Sequence, residues 1–158
     1  MSVTIRPALP EDASWILPLS ARLHDFGPPA WRPRGQMDRA VAASIGEALR
    51  TPADGQTVLV AEDESGSPAG FVHLHPAFDF FTGEQHTHVS DIVVATQAEG
   101  RGVARALMDA ADEWARTLGH RLLTLNVFGG NDRALALYER LGYRTDTVKM
   151  VKLLDKGT

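Results

Sequence analysis

The chain has 158 residues, 44% hydrophobic and 23% charged, which is the length and balance of one compact domain, residues 1–158, that buries its own core. With no cysteine it has no disulfide, no thiolate nucleophile and no thiolate metal site, and its formal charge of −4 lacks the basic excess of a nucleic-acid reader while suiting a small cationic partner. No apolar run approaches the roughly 18 residues of a membrane span, and Met1 to Pro10 lacks the apolar core of a signal peptide, so the expectation is a cytoplasmic protein without membrane or nucleic-acid partners.

In chain order, Val3 to Arg6 alternates as a short strand, and Glu11-Asp12 leads a helix through Trp15, Ile16 and Leu19 in which Pro18 sits awkwardly. Gly27-Pro28-Pro29, Pro33 and Gly35 break the chain into a loop suited to face a substrate, before a second helix from Met37 to Leu49. Val58 to Ala61 and Gly70 to His75, joined by the turn from Glu62 to Pro68, read as a β-hairpin, with a further strand through Val89 to Val94. Val103, Leu107, Ala111, Trp114 and Leu118 fall at helical spacing up to Gly119. Leu122 to Val127 reads as a strand, Asn131 to Leu141 as a helix stopped by Gly142, and Lys149 to Leu154 as a last strand.

The unit of strand, Glu99-Gly100-Arg101-Gly102 turn and helix has a chemical meaning. A helix N-terminus offers unpaired N–H groups and partial positive charge, and glycines let an anion approach the backbone. Arg101 and Arg105 add guanidinium groups that match phosphate oxygens. The Walker ending Gly-Lys-Ser/Thr is absent, and Arg105 stands where a dinucleotide fingerprint needs glycine or alanine.

The run from Asp91 to Met108 resembles the strand-loop-helix signature of the GCN5-related N-acetyltransferases, whose pattern Arg/Gln-x-x-Gly-x-Gly/Ala falls on Glu99, Gly102 and Ala104. The first position departs from the pattern by carrying an acid. Asn131 to Tyr143 is similar to the family segment Asn-x-x-Ala-x-x-Leu-Tyr-Glu-x-x-Gly-Phe, and Ile5-Arg6-Pro7 with the hairpin to Val72 resembles the family's opening more loosely. The resemblance implies an α/β fold, a central mixed sheet flanked by helices, with acetyl-CoA as cosubstrate. It implies that the central strands splay near Val93-Val94 and Asn126, that main-chain groups of Ile92, Val93 and Val94 pair with the pantetheine arm, and that N–H groups of Gly100, Arg101, Gly102, Val103, Ala104 and Arg105 hold the pyrophosphate. Asn131 would reach the pantetheine or phosphate side.

Acetyl transfer needs a neutral amine, yet an alkylamine of pKa about 10.4 is only about one part in a few thousand neutral at pH 7, so the site must remove a proton. The resemblance makes Tyr138 the acid for the leaving thiolate, and a strand N–H near Ile92 or Val93 would meet charge on the carbonyl oxygen. For the base, Asp91 and His88 are both candidates, with Ser90 standing where polyamine-type relatives resemble a Glu-Asp pair. His73 and His75 share a strand face without a third ligand of clear geometry, so no metal is expected. Phe78 to Glu84, and Trp31 with Arg32 and Arg34, suit either amine binding or local packing.

The leading reading is transfer of acetyl to a primary amine of a small molecule by direct attack in a ternary complex. One alternative makes the acceptor a protein N-terminus or lysine; another is an acyl-CoA-binding sensor or interaction module that has lost turnover, as Glu99 and Ser90 suggest. Exposed strand edges leave room for a homodimer.

Overall fold

The computed structural model describes residues 2–154. Five strands form one mixed sheet in the order β1 (Thr4–Pro7), β2 (Thr57–Glu62), β3 (Pro68–Phe78), β4 (Gln85–Val94) and β5 (Leu123–Leu125). Neighbours are antiparallel except β4 and β5, whose parallel pairing requires a crossover. That crossover is the helix α3 (Val103–Thr117); α1 (Ala13–Leu19), α2 (Arg34–Arg50) and α4 (Asp132–Arg140) complete the set.

Two apolar clusters cover the sheet's two faces. On one, α3 lays Val103, Leu107, Met108 and Ala111, a stripe at helical spacing, against Val72, Leu74 and Val89. On the other, Ile16 of α1 and Ile45 of α2 pack on Val60, Phe71 and Val93. The strand residues alternate between the clusters, as the period of two demands. Gly70 is obligatory here for space rather than dihedral freedom: a Cβ on it would lie 2.5 Å from the Val93 carbonyl oxygen.

An ion pair fastens the start of the chain. Arg6 of β1 grips both oxygens of Asp12, at 2.8 and 3.0 Å, and reaches Glu62 of β2 at 3.1 Å. Asp12 also accepts from the Leu9 N–H and the Trp15 indole. The Arg6 hydrogen bonds, outweighing the cost of burial, hold the Asp12 carboxyl down at about 2.

The expected first four strands and four helices are present, with α2 starting at Arg34 rather than Met37. Pro18 lies in the penultimate position of α1, and the chain continues as a tighter 3-10 turn, Ser20–His24. Two expectations need correction. The strand from Leu122 to Val127 shrinks to Leu123–Leu125, because β4 pairs with it only from Thr87 to Val89. The strand from Lys149 to Leu154 does not form: among the described residues it pairs with nothing, and Met150 and Leu154 stay exposed. Alternating side chains supply a strand's pattern, but its hydrogen bonds need a partner edge.

Candidate active site

β4 carries a bulge where it matters most. His73 pairs with Asp91 and the next residue of β3, Leu74, pairs with Val89, so Ser90 is the extra residue and bends the strand. On the other side β4 runs parallel to β5 through Val89 and Leu125, and there the ladder stops. Beyond that last pair a cavity of about 390 Å3 opens between the parting strands, with Ser90, Asp91 and Ile92 on one wall and Asn126, Val127 and Phe128 on the other. Tyr138 of α4 and Asn131, the residue before that helix, close it on one side, while His24, Arg32 and Met37 close it from the segment around α2. A strap over this last side is built from rings: Phe26 stacks on Phe128 at 5.2 Å, and the Arg32 guanidinium lies 4.2 Å over Trp31 and 5.3 Å from Phe128.

Next to the cavity's β4 wall, the chain turns into α3. Gly102 caps the helix at φ 79°, a conformation that favours glycine, and nothing lies within 4 Å of where its Cβ would stand. The helix has no side-chain cap, and Ala106 is the first residue to bond back, to the Gly102 carbonyl. The N–H groups of Val103, Ala104 and Arg105 are therefore left without backbone partners among the described residues. Open space over a left-handed glycine, beside three unpaired donors, fits a pyrophosphate.

Residues 21–143 match the Acetyltransferase (GNAT) family. The chain belongs to that family. Over 146 residues it is 30% identical to the uncharacterized N-acetyltransferase YhfO of Bacillus subtilis (strain 168), covering 92% of each chain. It is 38% identical over 86 residues to the mycothiol acetyltransferase of Propionibacterium freudenreichii subsp. shermanii, a match that covers 54% of this chain and 27% of that one. The crystal structure of a GCN5-related N-acetyltransferase from Ralstonia eutropha JMP134 shares the fold, with a TM-score of 0.75 and 18% identity over 97% of this chain and 99% of that one. The protein is thus an acetyl-CoA-dependent N-acetyltransferase with the GNAT mixed sheet.

Within this GNAT frame the residues singled out from sequence divide into groups. Asp91, Ile92, Asn126, Asn131 and Tyr138 line the cavity. Tyr138 is largely buried, and burial raises its hydroxyl above the ordinary tyrosine range, which keeps the proton on at neutral pH. Asn131 has a second task, since its side-chain oxygen accepts the Ala134 N–H and caps α4. Val93 and Val94 continue β4 toward Gly100, and both pair with β3, at Phe71 and Gly70. Gly100, at φ 75°, leads into the α3 terminus.

The two candidate bases fare differently. Asp91 reaches the cavity but is also bonded to buried His73, at 2.9 Å. His88 is not among the cavity's lining residues; it holds the Thr124 hydroxyl at 2.7 Å, and burial, helped by the neighbouring His75 and His86, lowers its basicity. Among the described residues no group of three His, Asp or Glu side chains comes together as metal ligands would. Glu99, the acid at the departing motif position, is bonded to Arg22, which also donates to Thr96, so the glycine turn is tied to the 3-10 turn before α2.

Sequence reasoning missed a histidine. His24 ends that 3-10 turn, is only 3% exposed, and places Nδ1 2.6 Å from Oδ1 of Asp38 on α2. The available signal was its position, a histidine just before the Gly27-Pro28-Pro29 break read as substrate-facing, with an acid in the opening turns of the next helix.

Proposed function

We propose that the protein acetylates a primary amine on a small molecule, with acetyl-CoA and the acceptor bound together. The observation that carries this reading is the cavity itself: it begins where β4 and β5 stop pairing, is lined by Asp91 and Tyr138, and is bordered by Phe128 and Arg32, which Phe26 and Trp31 back in turn. A volume of about 390 Å3 has room for the reacting ends of two ligands.

Acetyl-CoA would lie with its pyrophosphate on the N–H groups of Val103 to Arg105 and its pantetheine arm along Ser90 to Ile92, and supplies the acetyl thioester. The backbone at the Ser90 bulge, freed from regular pairing, leaves groups to bond the arm and the acetyl oxygen. Asp91 draws the cationic acceptor into the cavity. Tyr138 gives its proton to the departing sulfur as the new C–N bond forms and the C–S bond breaks. The absence of cysteine supports direct attack by the amine over a relay through the enzyme.

The open outer edge of β5 and the exposed Val148, Met150 and Leu154 support a homodimer as the assembly, and no helix among the described residues is long and apolar enough to cross a membrane. The deciding experiment is acetyl-CoA calorimetry followed by a thiol-release screen over polyamines, aminoglycosides, amino acids and short peptides. Binding with release on small amines is expected. Release only on peptides shifts the acceptor to protein, and binding without release on any acceptor leaves an acyl-CoA sensor.

A further inference from the structure

The family reading leaves open which group deprotonates the acceptor: His88 does not line the cavity, and Asp91 lines it with one carboxylate oxygen, Oδ2, already bonded to the buried His73. His24 lines it as well. Its Nδ1 lies 2.6 Å from Asp38, a carboxylate that faces Arg34 at 3.8 Å through its other oxygen. A carboxylate only accepts, so Nδ1 carries the ring proton and donates it, and the lone pair is left on Nε2. Nε2 has no hydrogen-bond partner among the described residues, and the ring lines the cavity that also holds Tyr138. A histidine placed for packing alone has no reason to leave one nitrogen unpaired at a cavity wall while a carboxylate fixes its tautomer.

We infer that His24, oriented by Asp38, is the residue that takes the proton from the acceptor's ammonium. This rests on the reading of the cavity as a site of amine acetylation. The ammonium gives one proton to Nε2 and becomes the nucleophile; its nitrogen bonds the acetyl carbon as the C–S bond breaks. Tyr138 protonates the leaving sulfur and is reprotonated by the second proton shed from nitrogen. The proton on His24 then passes to water, so one proton is released per amide formed. The charged and titratable groups around His24 are Arg22 and Asp25 beside it in sequence, Asp38 and Arg34 of α2, Arg32 of the strap, Asp91 of β4 and Tyr138 of α4. Asp38 and Asp91 would stabilise the imidazolium that forms, and Arg32 would oppose it.

The test compares wild type with His24→Gln by thiol release, using acetyl-CoA and whichever amine of the panel is turned over fastest, from pH 7 to pH 9. The variant should bind acetyl-CoA normally and lose about 10²-fold in kcat/KM at pH 7. It must wait for the amine to lose its own proton, so its kcat/KM should climb about tenfold per pH unit toward the amine pKa of about 10.4, while the wild type levels off earlier. A folded His24→Gln protein with the wild-type rate, or with a profile parallel to wild type, overturns the inference. If His24→Gln does not fold, Asp38→Asn carries the same test: its side chain is 31% exposed, and an amide donor facing Nδ1 moves the ring proton to Nε2, so the same loss and slope are expected. A wild-type protein that binds acetyl-CoA but releases no thiol with any amine overturns the underlying reading, and this inference with it.

Discussion

Among the described residues there are two histidine–aspartate pairs, and they teach opposite lessons. His73, 1% exposed in β3, bonds Asp91 through Nδ1 and the Gln56 amide through the other nitrogen, at 3.0 Å, while Gln56 accepts the Ala53 N–H. Every polar atom of that ring is spent on holding β3 to β4 and to the turn before β2. His24 is almost as buried, but among the described residues only its Nδ1 is engaged, and its ring lines the cavity. Burial and a carboxylate partner are therefore shared by a fastening and a reacting pair; the free lone pair separates them.

The sharpest way to break this comparison is to exchange each ring for glutamine. His24→Gln should lose turnover with little change in melting temperature, whereas His73→Gln, which strands Asp91 and Gln56, should cost about 1–3 kcal/mol of stability and leave the rate per folded molecule within several-fold. Chemical denaturation and thiol release on both proteins check this, and two variants that fall together on both scales would erase the distinction.

Tyr138→Phe extends the contrast to the acid. A proton donor removed without loss of shape should lower kcat by about 10²-fold, near 3 kcal/mol, with acetyl-CoA affinity unchanged. An unaltered kcat would remove Tyr138 from the chemistry.

Arg6 and Asp12 form a third charged pair, purely of the scaffold, and their effect is read by pH. Asp12 sits at about 2 in the folded protein against an ordinary 3.8, so its contribution, up to about 2 kcal/mol, is present above pH 4 and fades as the pH falls toward 2. Denaturation midpoints of wild type should drop across that window more steeply than those of Asp12→Asn, which starts lower.

The smallest expected effect is at Glu99. Its bond to Arg22 is partly solvated, so water screens it, and Glu99→Gln should change stability by less than about 1 kcal/mol, with acetyl-CoA affinity little altered because the neighbouring donors are backbone N–H groups. A large loss of affinity, measured by calorimetry, would assign the acid a direct part in the cradle.

What was legible from sequence follows from which signals are local. The α3 stripe from Val103 to Ala111, the glycine stop at Gly119 and the Asn131 start of α4 are set by near neighbours, and they stand as read. The cavity floor was approached through motif resemblance, which reached Asp91, Asn131 and Tyr138. The His24–Asp38 pair spans fourteen residues across a loop of irregular conformation, so no periodicity announces it. The Ser90 bulge depends on the register of β3 against β4, and the fate of Lys149 to Leu154 depends on whether an edge meets it; neither is written in the segment itself.

The central claim, that acetyl transfer occurs where β4 and β5 part, is tested most directly by a crystal structure with coenzyme A bound. The pantetheine arm should run along Ser90 to Ile92 beyond the last β4–β5 pair, the pyrophosphate should rest on the N–H groups at Val103 to Arg105, and the sulfur should lie within about 3.5 Å of the Tyr138 hydroxyl with His24 Nε2 facing the space beside it. Coenzyme A seated elsewhere, or with its sulfur turned away from Tyr138 and His24, would contradict the account.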